Sequence, residues 1–198
     1  NGVLVDKKIL TFNHKADEIT KNGYSHFMLK EIHEQDNLAK KLIDMYLENK
    51  DTIINKMPCF DKYDKIDIVA CGSAYHAGMI GKSLIEEYGD IPVSVNLASE
   101  YRYKKLFLND KTLVIAISQS GETADTLASV NIAKQNNADT LGIVNVALSS
   151  IARVCDNVLY TNAGPEIAVA TTKAYSMQVL MLTLIALNIG VSKNLIDK

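Results

Sequence analysis

From Lys65 onward the chain alternates short apolar, β-branched runs with segments of helical period. Residues 66–71 form the first run and stop at Gly72; residues 75–88 then have helical spacing and stop at Gly89. Residues 93–97 alternate as a strand does. Residues 113–117 are apolar and precede a helical segment over 122–135. Residues 141–146 are a fourth run, followed by a short helix near 149–154, and residues 157–160 are a fifth, followed by a loop and a long helix over 171–188. Neighbouring parallel strands need a crossover, and each helix supplies one. The alternation therefore predicts an α/β domain: a five-stranded parallel sheet, covered on both faces and doubly wound in the flavodoxin manner. In such sheets ligands sit at the carboxyl ends of the strands, at the switch in strand order.

The region before this domain reads differently. Residues 1–13 are short, mixed and without period, which predicts an interdomain linker. Residues 14–64 predict an N-terminal helical extension. Met28, Ile32, Gln35, Ala39, Leu42 and Tyr46 recur there at three- and four-residue spacings, and Asn22-Gly23 marks a break. Residues 65–198 are the sheet domain. The first residue is Asn and not Met, which gives the expectation that the chain is a piece of something longer. Residues 179–187 are apolar nearly all round, which predicts burial between the sheet and a second domain or subunit. That run contains Thr183 and is too short to span a bilayer, so no membrane association is expected.

The net charge of −2 and the scattered Lys40-Lys41 and Lys104-Lys105 pairs argue against nucleic-acid binding, which needs clustered cations. Cys59, Cys71 and Cys155 are odd in number and form no CxxC pair, so a disulfide framework and a zinc site are not expected and a reduced, cytoplasmic location is. No signal peptide is read at Asn1-Gly2-Val3, and no cofactor or metal motif is found.

Three loops should meet at the carboxyl edge of the sheet. They hold Ser73 after the first strand, Ser118-Gln119-Ser120-Gly121-Glu122-Thr123 after the third, and Thr171-Thr172 after the fifth. Each joins a strand to a helix N-terminus, where free N–H groups and the dipole favour an anion. The hydroxyls of Ser118, Ser120 and Thr123 can each donate a hydrogen bond. The competing reading is ordinary N-capping by Ser120 or Thr123, and hydroxyls in three loops on one edge weigh toward a polar pocket. A serine nucleophile is disfavoured. Ser120 lacks the first glycine of G-x-S-x-G, and no histidine follows it in the chain. Gly81-Lys82-Ser83 imitates a P-loop ending, but the required earlier glycine is His76 and the run falls inside a helical segment. Gly72 starts no dinucleotide fingerprint, because Ala74 stands where the second glycine belongs. His33, between Glu31 and Glu34, fits a surface or interface role better than a metal site, and His76 fits a helix face with a local partner. Glu122 and Glu166 are candidate acid–base groups, although a carboxylate at a helix start more often answers the dipole.

Four segments in order resemble the SIS family of phosphosugar-binding modules: FMLKEIHEQ at 27–35, ACGSAYHAG at 70–78, AISQSGETADT at 116–126 and AGPEIAVATTKAY at 163–175. The serine-rich loop resembles the superfamily mark. KEIHEQ is similar to the segment that marks, within it, the isomerising glutamine–fructose-6-phosphate aminotransferases. Such enzymes join an N-terminal glutaminase domain to two SIS halves. They move ammonia from glutamine to fructose 6-phosphate and isomerise the product to glucosamine 6-phosphate. The chain resembles only the linker and the first half. The resemblance implies that Ser118, Gln119, Ser120 and Thr123 hold the sugar phosphate. It places Ser73 and Ala74 beside the sugar, and Val169 and Thr171 on the loop that closes over it. Two positions depart from the family pattern: Ala74 stands where a serine is common, and Thr171 where a serine is common. The implied partners are the phosphosugar, the glutaminase domain and second half of the parent chain, and a second copy in a homodimer. The family's isomerase acid–base residues belong to the second half, so no catalytic residue is assigned here and the chain alone is expected to be inactive. The alternatives are a stand-alone phosphosugar sensor and another SIS isomerase or deglycase.

Overall fold

The computed structural model describes residues 19–48 and 57–197, so the linker predicted at 1–13, His14 and part of the 14–64 extension lie outside the described residues. The strands are β1 (Lys65–Ala70), β2 (Val93–Leu97), β3 (Thr112–Ser118), β4 (Asp139–Val144) and β5 (Asn157–Tyr160). They pair in parallel, in the order β2-β1-β3-β4-β5. This is the flavodoxin-like order, and its switch point lies between β1 and β3. The helices are α1 (Phe27–Glu48), α2 (Ser73–Gly89), α3 (Ala98–Tyr101), α4 (Ala124–Gln135), α5 (Ser150–Val154) and α6 (Lys173–Ser192).

The two-residue period of a strand divides the core between the faces. Along β3, Leu113, Ile115 and Ile117 join Ile85, Met181 and Leu182 on the face covered by α2 and α6. Val114 and Ala116 point the other way, to Tyr101, Val130, Ala133 and Ile151 of α3, α4 and α5. Every residue of β3 is buried, which is why this strand reads as an unbroken apolar run. α2 and α6 approach closely at Gly81, where a Cβ would lie 2.8 Å from Leu182 Cδ1. Gly81-Lys82-Ser83 is therefore helix interior, and Lys82 Nζ donates to the Val93 carbonyl at 2.6 Å.

The structure differs from the sequence reading at three points. Strand β4 starts at Asp139 and stops at Val144, not over 141–146. Asn145 leaves the sheet because its side chain serves a loop, as described below. The four-residue helix α3 was not foreseen; it seats buried Tyr101, whose hydroxyl donates to Asp67 Oδ2 at 2.8 Å. Helix α6 runs for 20 residues with mean hydropathy 1.7 over its most apolar window, so it has the length of a membrane span. More than half of that window is buried inside the fold, and Met177, Met181, Leu182, Ile185 and Ile189 belong to the core beneath it.

Helix α1 follows the expected stripe only in its second half. Leu42 is buried and Leu38, Ala39, Met45 and Tyr46 pack against the core. In the first half the pattern inverts. Met28 and Ile32 are 43% and 42% exposed, whereas Lys30 and Glu31 are 4% and 2% exposed. Buried charges need partners: Lys30 donates to the Thr20 carbonyl at 2.7 Å and lies 3.5 Å from Glu34, whereas the partners of Glu31 lie on the loop before α6.

Candidate functional site

A cleft of about 580 Å³ opens at the carboxyl ends of the strands. Its lining contains Ser73 and Ala74 from the start of α2, Ser118, Gln119, Ser120 and Thr123 from the turn after β3, and Val169 and Thr171 from the loop before α6. The three loops thus meet at the β1/β3 switch point. The lining also holds Glu166, weighed from the sequence as an acid–base group, and Cys71 and Gln178, which were not assigned to the site from the sequence. Gln178 carried a signal: it is a polar side chain in the most apolar helix, and it is 3% exposed.

The turn after β3 is built around Gly121, whose φ is +67° and whose added Cβ would lie 2.0 Å from Ser149 Oγ. Only glycine takes this backbone with this neighbour. Ser118 Oγ accepts from the Gly121 N–H at 3.0 Å and shares a hydrogen bond of 2.9 Å with Thr123 Oγ1. Ser120 Oγ accepts from the Glu122 N–H at 3.2 Å. Thr123 stands at the N-cap of α4, but its side chain makes no capping hydrogen bond. Capping by Thr123 is thereby excluded, since its hydroxyl is turned to Ser118. The first N–H groups of α4 have no intrahelical acceptor, and they begin at the wall of the cleft. Glu122 leaves the site: its carboxylate accepts from the Ser150 N–H at 2.8 Å, and hydrogen bonding from the Ser150 hydroxyl and N–H holds its pKa below the usual range.

The loop before α6 is tied at three points. Asn145 Oδ1 accepts from the Ala163 N–H at 2.8 Å, and Asn145 Nδ2 donates to the Gly164 carbonyl at 2.8 Å. Glu31 Oε1 accepts from Ile167 N–H at 2.7 Å and Ala168 N–H at 3.2 Å. Glu166 accepts from Thr171 Oγ1 at 2.8 Å, Thr172 N–H at 2.9 Å and Ala174 N–H at 3.1 Å. A carboxylate thus already occupies the N-terminus of α6. The Thr171 hydroxyl donates to Glu166, so its oxygen faces any ligand as an acceptor.

Among the described residues no Lys or Arg lines the cleft, and Glu166 is the charged residue in the lining. An anion there would be held by backbone N–H groups, hydroxyls and the α4 dipole. His26, His33 and His76 are exposed and line no part of it. His33 stacks on Tyr24 and His76 packs edge-on against Tyr75.

Residues 60–188 match the SIS domain family model. The chain belongs to the SIS domain family. Over 205 residues it is 46% identical to an isomerizing glutamine–fructose-6-phosphate aminotransferase of Clostridium tetani, covering 100% of this chain and 33% of the relative. The C-terminal domain of glucosamine-fructose-6-phosphate aminotransferase from Francisella tularensis superposes with a TM-score of 0.83 at 41% identity, over 90% of this chain and 51% of that one. A glucosamine-6-phosphate deaminase from Thermotoga maritima superposes with a TM-score of 0.65 at 26% identity, over 81% of this chain and 49% of that one. The SIS domain and its α1 extension span about a third of the length of the curated relatives matched here.

Proposed function

We propose that this SIS domain is the first phosphosugar-binding half of an isomerising aminotransferase that moves ammonia from glutamine to fructose 6-phosphate and yields glucosamine 6-phosphate. The observation that carries the reading is the N-terminus of α4, where the N-cap side chain is engaged elsewhere and the N–H groups begin at the cleft wall. Identity to curated aminotransferases along the whole chain supports the substrate class.

In this reading the phosphate rests on the turn from Ser118 to Thr123. The helix dipole and hydrogen-bond donors replace its lost hydration, and the Ser118–Thr123 bond keeps the turn in shape. Ser73 and Ala74 flank the sugar from one side, and Val169 and Thr171 from the other. Ala74 offers only its backbone and a methyl group, so the sugar is oriented on that side by Ser73. The chain binds and orients. The proton transfers that interconvert ketose and aldose belong to residues beyond it, and so does the release of ammonia from glutamine by a glutaminase domain of the parent chain. A homodimer and a cytoplasmic location go with the reading. The apolar side chains of Met28, Leu29 and Ile32 on the outer side of α1 support a protein contact, and the three free cysteines fit a reducing compartment.

The test is calorimetric titration with fructose 6-phosphate, fructose and inorganic phosphate, followed by an assay for glucosamine 6-phosphate from fructose 6-phosphate and ammonia. Binding of both phosphates, weak or no binding of fructose and no product formation are expected. Binding of fructose alone, or product formation by this chain, contradicts the proposal.

A further inference from the structure

The segment Lys30-Glu31-Ile32-His33-Glu34-Gln35 supplies no atom to the cleft wall. Its Glu31, Glu34 and Gln35 side chains nevertheless turn toward the loop that closes the cleft and the helix that follows it. We propose that Glu31 is a positioning residue for phosphosugar binding: its buried carboxylate fixes the backbone of that loop. The inference rests on the phosphosugar reading of the cleft.

One oxygen of Glu31 accepts from two successive backbone N–H groups, Ile167 at 2.7 Å and Ala168 at 3.2 Å. Two consecutive peptides aimed at one acceptor cannot be extended, so the carboxylate dictates a bend there. Ala168 and the next three residues, Val169, Ala170 and Thr171, line the cleft directly after that bend. Glu31 is 2% exposed, and its second oxygen, Oε2, accepts no hydrogen bond among the described residues. The same helix also grips the far end of the loop. Glu34 lies between buried Lys30, at 3.5 Å, and buried Lys173, at 2.7 Å, and Gln35 accepts from the Ser176 hydroxyl.

Stability alone does not account for this arrangement. Well-packed apolar residues replace buried ion pairs at no cost in many proteins, and often with a gain. Here Met28, Leu29 and Ile32 are left outside while charges are buried. What a carboxylate does that an isoleucine cannot is hold two peptide N–H groups in one direction. The phosphate of the ligand needs only the turn after β3, whereas the sugar needs the loop. Glu31 therefore acts on the sugar end of the ligand through Ala168 to Thr171.

The experiment measures dissociation constants for fructose 6-phosphate and for inorganic phosphate in the 198-residue chain, its Glu31→Ala variant and its Glu31→Gln variant. Glu31→Ala should weaken fructose 6-phosphate about tenfold, the order expected for lost charge-assisted hydrogen bonds, and move inorganic phosphate by less than about twofold. Glu31→Gln keeps an acceptor oxygen and should recover part of the loss. Equal loss for both ligands, or loss for neither, overturns the proposal. Amide hydrogen exchange in the ligand-free wild type is the second arm. Ile167 and Ala168 should exchange more slowly than Val169 and Ala170, and equally fast exchange at all four overturns the proposal even if Glu31→Ala fails to fold. If the wild type binds no fructose 6-phosphate, the functional reading falls, and the exchange pattern still decides the role of Glu31.

Discussion

The N-termini of α4 and α6 border the same cleft and are finished in opposite ways. At α6, Glu166 fills the helix end with a carboxylate that accepts two backbone N–H groups and the Thr171 hydroxyl. At α4, the N-cap residue Thr123 turns its hydroxyl back to Ser118 and no side chain caps the helix. Both ends carry the same positive dipole. One is neutralised by the protein itself and holds a loop, and the other is left to a ligand. The contrast teaches that a helix terminus alone does not define an anion site. What the protein leaves uncapped does.

The most severe way to break the comparison is at Gly121. Gly121→Ala puts a methyl against Ser149 and forces a left-handed alanine, so it should cost about 3 kcal/mol in urea unfolding, combining overpacking with backbone strain. It should also abolish phosphate binding, because the α4 turn is rebuilt. A variant with wild-type stability would show that the turn relaxes freely. Next, Ser118→Ala with Ser120→Ala should weaken fructose 6-phosphate by about 1–3 kcal/mol, the order for lost hydrogen bonds to a charged group. Unchanged affinity in a titration would return both serines to a purely local role. Third, Glu166→Gln should lower stability by about 1 kcal/mol, because α6 loses the charge at its positive end. It should slightly strengthen inorganic phosphate binding by removing a like charge from the cleft. Weaker phosphate binding would mean that the two termini are not independent.

The smallest effect concerns acid. Burial alone would raise the pKa of Asp139 and of Asp156, but hydrogen bonds from Lys62 and Tyr63 to Asp139, and from Lys134 and Thr140 to Asp156, hold both below the usual aspartate range. A carboxylate with a depressed folded pKa adds stability above its unfolded pKa and loses it as pH falls through the folded value. The melting temperature should therefore be flat from about pH 7 to 5 and decline below about pH 4. These pairs lie away from the cleft, so phosphate binding at pH 5 should match that at pH 7. A melting temperature that rises in acid would contradict the sign.

The sheet was legible because its central strands are buried on both faces, and full burial writes an apolar run into the sequence. The cleft was legible as three hydroxyl-bearing loops after strands, because strand order places such loops together. Whether Thr123 caps or frees its helix was not legible, since that depends on a rotamer held by Ser118. The end of β4 was misread because Asn145 is recruited by Gly164, 19 residues later. The inverted half of α1 was hidden for the same reason on a larger scale. Glu31 and Glu34 answer groups 136 and 139 residues away, and a local pattern of apolar and charged residues carries no trace of them.

The most direct measurement follows backbone amide signals while inorganic phosphate is added. The account predicts shifts at residues 118–124, at the open terminus of α4, and none at residues 172–174, where Glu166 already occupies α6. Shifts at residues 172–174 with none at residues 118–124 would contradict it.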